Sequence, residues 1–135
     1  MTEVNLKYLK LTSIFTGLVG LTNTILLGIH ITNHCLILAS LVNKFFKYVI
    51  YTEVITTISL ALIILGCYSI YKNYFFIGGV SNLIAGIITV GMYLHYTFNL
   101  TILQKFGIFG YFLLLPTPIS GIMGIATSRI ALTKN

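Results

Sequence analysis

The sequence predicts an all-α integral membrane protein, an antiparallel up-down-up-down bundle of four transmembrane helices whose fourth member is kinked or broken by proline. Three observations lead there. Residues 11–42, 54–71, 73–104 and 106–128 contain no Asp, Glu, Lys or Arg, and a spanning helix needs roughly 20 predominantly apolar residues, with a range of about 17–25. Hydrophobic residues make up 57% of the chain and charged residues 7%, whereas soluble domains are about a quarter charged. Finally, runs such as Ile25-Leu26-Leu27 and residues 60–65 do not alternate apolar with polar. A barrel strand would alternate over about ten positions, so the backbone must satisfy itself in lipid as helices.

Taken in order, the first helix is expected over residues 11–31, with 31–42 as a candidate continuation. The others are expected over 48–70, 75–97 and 106–130. The 135 residues form one transmembrane domain. Lys7 and Lys10 before an apolar run resemble a signal peptide only superficially, because the run is too long for such a core and no small-residue cleavage site closes it. Loop one holds Asn43, Lys44 and Lys47, loop two is the tight hairpin 71–74, and loop three covers 98–105. Connections this short force antiparallel neighbours.

The net charge of +6 reflects scarce acids, since Asp is absent and Glu3 and Glu53 are the two carboxylates. The basic residues are scattered in ones and twos among the loops. That pattern suits anchoring at a membrane surface and argues against a nucleic-acid partner. Lys7, Lys10, Lys72, Arg129 and Lys134 gather on one side, and Lys44, Lys47 and Lys105 on the other. Five against three places both termini in the cytoplasm, in the cell membrane, under the positive-inside rule. Asn99-Leu100-Thr101 is a glycosylation sequon in the loop this puts outside, too close to the bilayer to add weight. Aromatic clusters mark the span ends: Phe45, Phe46, Tyr48 and Tyr51 at loop one, Tyr68, Tyr71, Tyr74, Phe75 and Phe76 at loop two, and Tyr93, Tyr96, Phe98, Phe106 and Phe109 at loop three. Tyrosine favours the level where an apolar ring meets a wet headgroup.

Small residues set the packing faces. Thr16, Gly20, Thr24 and Gly28 form an i, i+4 row on helix one, beside Ser13 and Gly17. Helix four has Thr117, Gly121, Gly124 and Ser128, and helix three is lightened by Gly78, Gly79, Ser81, Gly86 and Gly91. Such rows let helices approach closely in lipid, where the hydrophobic effect does not drive association. Packing within the bundle is the leading reading, and docking of another subunit is the alternative. Pro116 and Pro118 remove backbone donors and disfavour helical geometry before them. A break is expected near residues 115–117, with Thr117 capping a second half whose first turn holds Pro118.

Little of the sequence can carry chemistry. His30 and His34 share a helix face with Asn23, Gly20 and Thr16, a polar stripe that should turn into the bundle. Helices one and three run parallel, and each reaches its histidines roughly 20 residues from its start. His30, His34 and His95 should therefore lie at similar depth. Two of them could ligate haem iron, or all three a transition metal; interfacial or structural histidine is the plainer reading. Glu53, the one acid near a span, could relay protons or pair with a cation, or meet water and Lys47 at the interface. If it pointed inward it would approach the histidines. Cys35 and Cys67 sit near opposite ends of their spans, which argues against a disulfide. Phosphate loop, serine–histidine–acid set and paired cysteines are all missing, so an enzyme acting alone is disfavoured.

The expected function is a small non-catalytic accessory or structural subunit of a larger membrane assembly, of energy-transducing or respiratory type. Its partners would be the lipid bilayer and other membrane subunits, or copies of itself. The alternatives are a haem- or metal-binding bundle using His30 or His34 with His95, and a small oligomeric proton-coupled transporter or channel using Glu53.

Overall fold

A computed structural model describes residues 3–100 and 112–133. Its helices are α1 (Glu3–Leu41), α2 (Phe46–Tyr71), α3 (Phe75–Leu100) and α4 (Pro116–Leu132), with one 3₁₀ turn at Asn43–Phe45. Four segments are long and apolar enough to cross a membrane: Asn5–Leu41, Asn43–Tyr71, Phe75–Tyr96 and Phe112–Leu132. The protein is a multi-pass membrane protein built as the predicted four-helix bundle. Each helix packs on its neighbour in sequence and α4 closes the ring on α1, leaving α1 and α3, and α2 and α4, across the diagonals.

Helix α1 is longer than its uncharged stretch. It spans 39 residues, about 58 Å, and so includes the basic head that the sequence places outside the span. Charged residues do not end a helix, and nothing in 3–41 breaks one. Lys10 Nζ donates to Asn73 Oδ1 at 2.7 Å and lies 5.5 Å from the Tyr71 ring centre, which ties the head to loop two. At the far end Val42 turns extended, with φ −141° and ψ 110°. Loop two closes on backbone bonds. The Tyr74 N–H donates to the Ser69 carbonyl at 2.8 Å and the Asn73 N–H to the Ile70 carbonyl at 3.1 Å. This is a Schellman cap, and Asn73 takes the required left-handed conformation at φ 70°; asparagine is the residue after glycine best suited to it.

The fourth segment is interrupted where the prolines predict, although not by the expected cap. Residues 112–114 are helical, Leu115 forms a turn, and α4 begins at Pro116. Leu115 itself keeps helical angles, φ −59° and ψ −34°, and offers no side-chain cap. Its carbonyl accepts the Ile119 N–H at 3.1 Å. Both prolines therefore fall in the first turn, where backbone donors have no intrahelical partner anyway. Thr117 does not cap. It is buried instead, against Gly20 of α1. Of the expected third loop, residues 98–100 continue α3. Residues 101–111, with Lys105 and the expected start of helix four at Phe106, lie outside the described residues.

The contacts divide the bundle into two halves. Toward loop two, Ser13 and Gly17 of α1 meet Cys67, Asn82 and Ser120 of the other three helices. Toward loop one, Leu27, Ile31, Cys35, Val49, Met92, Tyr93, Tyr96 and Leu114 form one buried cluster. Cys35 and Cys67 are free thiols, one in each half.

Candidate functional site

Both small-residue rows point into the bundle. A Cβ on Gly17 would stand 2.5 Å from Cys67 Sγ and 3.0 Å from Ser120 Oγ, and one on Gly28 would stand 2.7 Å from Thr56 Cγ2. On the opposite side, a Cβ on Gly121 would come within 2.6 Å of the Leu83 backbone nitrogen, and one on Gly124 within 2.8 Å of Gly79 Cα. Thr24 is buried, and Thr16 bonds back to the Thr12 carbonyl at 2.9 Å. Ser128 is half-buried at the end of its row.

A polar hub, unanticipated from sequence, joins the four helices at this level. Ser13 Oγ donates to the Ser120 carbonyl at 2.9 Å, and Ser120 Oγ donates to the Ser13 carbonyl at 2.6 Å. Fully buried Asn82 donates through Nδ2 to Ser120 Oγ at 2.9 Å. Its Oδ1 finds no N–H or O–H donor among the described residues and faces Gly66, where an added Cβ would overlap it. The available signal was a lone Asn in the middle of a span, since an amide in hydrocarbon is retained only where it has partners.

The three histidines fall into a pair on α1 and a single ring on α3. Ile31, beside His30, packs in one cluster with Met92 and Tyr96, which flank His95, so the depth expectation is met. The rings of His30 and His34 face each other with centres 4.5 Å apart. His95 stands edge-on to Tyr96 at 5.7 Å and lines a cleft of about 400 Å³ with Tyr48, Tyr51 and Ile55, on the α2–α3 seam. Among the described residues no group of three His, Cys, Asp or Glu side chains is disposed to hold a metal.

Glu53 occupies a different seam again. It is exposed and lines a cleft of about 440 Å³ between α1 and α2. The end toward loop one is polar, with Thr32 and Asn33 from α1 and Glu53, Thr56 and Thr57 from α2; the deeper end is apolar, with Ile25, Ile29 and Leu60. Gly28 forms the floor, where the helices approach closely enough that a Cβ would collide with Thr56. Thr57 Oγ1 bonds back to the Glu53 carbonyl at 2.8 Å. Glu53 thus does not take the inward position on which an approach to the histidines depended, and among the described residues the cleft's walls hold no histidine and no basic residue. Lys47 instead places its ammonium 5.3 Å from the Tyr48 ring centre. Asn33 and Glu53 are both exposed, so the cleft's amide and carboxylate face outward.

This cleft, with an exposed carboxylate and an exposed amide on its polar end, is the candidate functional site. The chain matches no family model, no curated protein and no solved structure.

Proposed function

We propose that the chain is a small non-catalytic accessory or structural subunit of a larger membrane protein assembly. The observation behind this reading is the contrast between inside and outside. Small and hydroxylic residues are spent on contacts between the four helices, while Glu53 and Asn33 lie on the outer seam. A charged side chain at the bilayer centre costs about 3 kcal/mol on insertion scales. The cost is smaller near the edge, and it vanishes when a partner covers the group. A transporter acting alone would need a continuous polar path through the bundle, whereas the bulky apolar Ile63, Ile70 and Leu114 and the Tyr93 ring are buried inside it among the hydroxyls and the Asn82 amide. In this reading the termini face the cytoplasm, because five basic residues gather on that side against three on the other.

The test is mild solubilisation from the native membrane, followed by mass and composition of the purified species and its visible spectrum. A stoichiometric complex with other membrane chains is expected. A monodisperse chain without protein partners would overturn the proposal, and a Soret band assigned to this chain would replace it with the haem reading.

A further inference from the structure

We infer that the α1–α2 seam is the seat of one transmembrane helix from a partner protein, and that this helix carries a Lys or Arg near its loop-one-side end that pairs with Glu53. The inference rests on the subunit reading and adds where the partner binds and what it presents. Shape is the first argument. From Asn33 to Ile25 the groove runs eight residues along α1, about 12 Å, parallel to the helix axes and floored by Gly28. A long shallow trough between two helices receives the ridge of a third.

Depth is the second. Tyr51 precedes Glu53 by two residues, about 3 Å along the axis, and tyrosines of this kind mark the interface. Glu53 therefore lies just inside the edge of the hydrocarbon, at the level where the flanking Lys and Arg residues of other spans are found. The polar half of the groove meets that level, and the apolar half lies under it.

Charge is the third. The chain carries net charge +6, yet among the described residues no basic side chain lines this cleft. Lys47 is six residues away, about 9 Å along α2, and is held over Tyr48; Lys44 lies over the Phe45 ring. Among the described residues, the cations a second copy would bring to this side are Lys44 and Lys47, both already held over aromatic rings. A lipid acyl chain fills the apolar half of the groove and leaves the carboxylate and the Asn33 amide unmet. A partner helix with a basic residue at its end satisfies both halves.

The experiment uses the full chain in its native membrane, with a photoreactive side chain at Thr57 inside the seam or at Ile84 on the exposed face of α3. The expected result is a protein adduct from Thr57 and little from Ile84. Glu53→Gln should lower that adduct about thirtyfold, as removal of one member of a desolvated charge pair does. Glu53 is exposed, so this variant folds, which gel filtration of the purified chain verifies. Replacing the adducted span's Lys or Arg by Glu should abolish the adduct, and combining that change with Glu53→Lys should restore it. Adducts from Thr57 to lipid alone or to a second copy overturn the assignment, as does an adduct indifferent to Glu53→Gln. If a partner is then captured through Ile84, the subunit reading stands and only the seam is wrong. No protein adduct from either position, with a chain that purifies alone, overturns the reading itself.

Discussion

Toward loop two the helices of this bundle meet backbone to backbone, and toward loop one they meet side chain to side chain. In the first half a Cβ on Gly79 would stand 2.6 Å from the Ile125 nitrogen, and one on Gly86 would stand 2.8 Å from the Pro118 nitrogen. Serine hydroxyls there bond directly to the facing helix's carbonyls. In the second half the contacts belong to Ile31, Met92, Tyr93 and Tyr96, and Gly91 has nothing within 4 Å of its missing Cβ. Lipid is as apolar as leucine, so neither half is held by a hydrophobic force between helices. One half gains close dispersion contact and hydrogen bonds; the other gains interlocked volume, and its seams open into the clefts at Glu53 and His95.

The same substitution made in each half tests this difference most sharply. Gly121→Ala forces α3 and α4 apart and should cost about 3 kcal/mol, read as a shift in detergent unfolding of the purified chain. Cys67 should then label with a thiol reagent at lower denaturant than Cys35, since the two thiols sit in different halves. Equal labelling would mean that the halves do not open separately. Next in size, Ser120→Ala removes the donor to the Ser13 carbonyl and the acceptor for Asn82. It should cost about 1–2 kcal/mol, near the upper end for hydrogen bonds between membrane helices.

In the aromatic half, Tyr96→Phe removes a hydroxyl whose one proton is shared between Thr52 Oγ1 and the Tyr48 carbonyl, the latter 3.0 Å away. Thr52 keeps its own bond to that carbonyl at 2.7 Å, so a loss of only about 0.6 kcal/mol is expected. A cost as large as that of Ser120→Ala would show that hydrogen bonding, not volume, holds this half as well. Smallest of all, Gly91→Ala meets no atoms and should be neutral, or stabilising by about 0.5–1 kcal/mol from reduced chain freedom. Destabilisation there would place a covering element over α3 that the described residues do not provide.

Much of this was legible in the residues. Uncharged runs of spanning length, short connections and aromatic borders specify four antiparallel helices, because lipid admits no other backbone arrangement for non-alternating sequences. The i, i+4 rows correctly announced close packing, and the prolines announced an interruption. Helix α1 was read too short because charge marks where the membrane ends, not where the helix ends. Thr117 was misread as a cap because composition does not reveal that Gly20 stands opposite it. The depth of the histidines followed from counting residues at a fixed rise. The seam that His95 lines did not, since the rotation of each helix about its axis is a property of all four helices packed together.

The sequence by itself thus determined the solvent, the number of spans, their order and the level of each polar residue, all of which depend on length and local composition. Only the tertiary structure decided which faces meet. Asn82 and Ser120 lie 38 positions apart and Ser13 and Ser120 lie 107 apart, and no local pattern joins them. The same packing turned Glu53 to the outer seam between α1 and α2. Azimuth around the bundle is settled by helix–helix contact, which a single strand of sequence does not record.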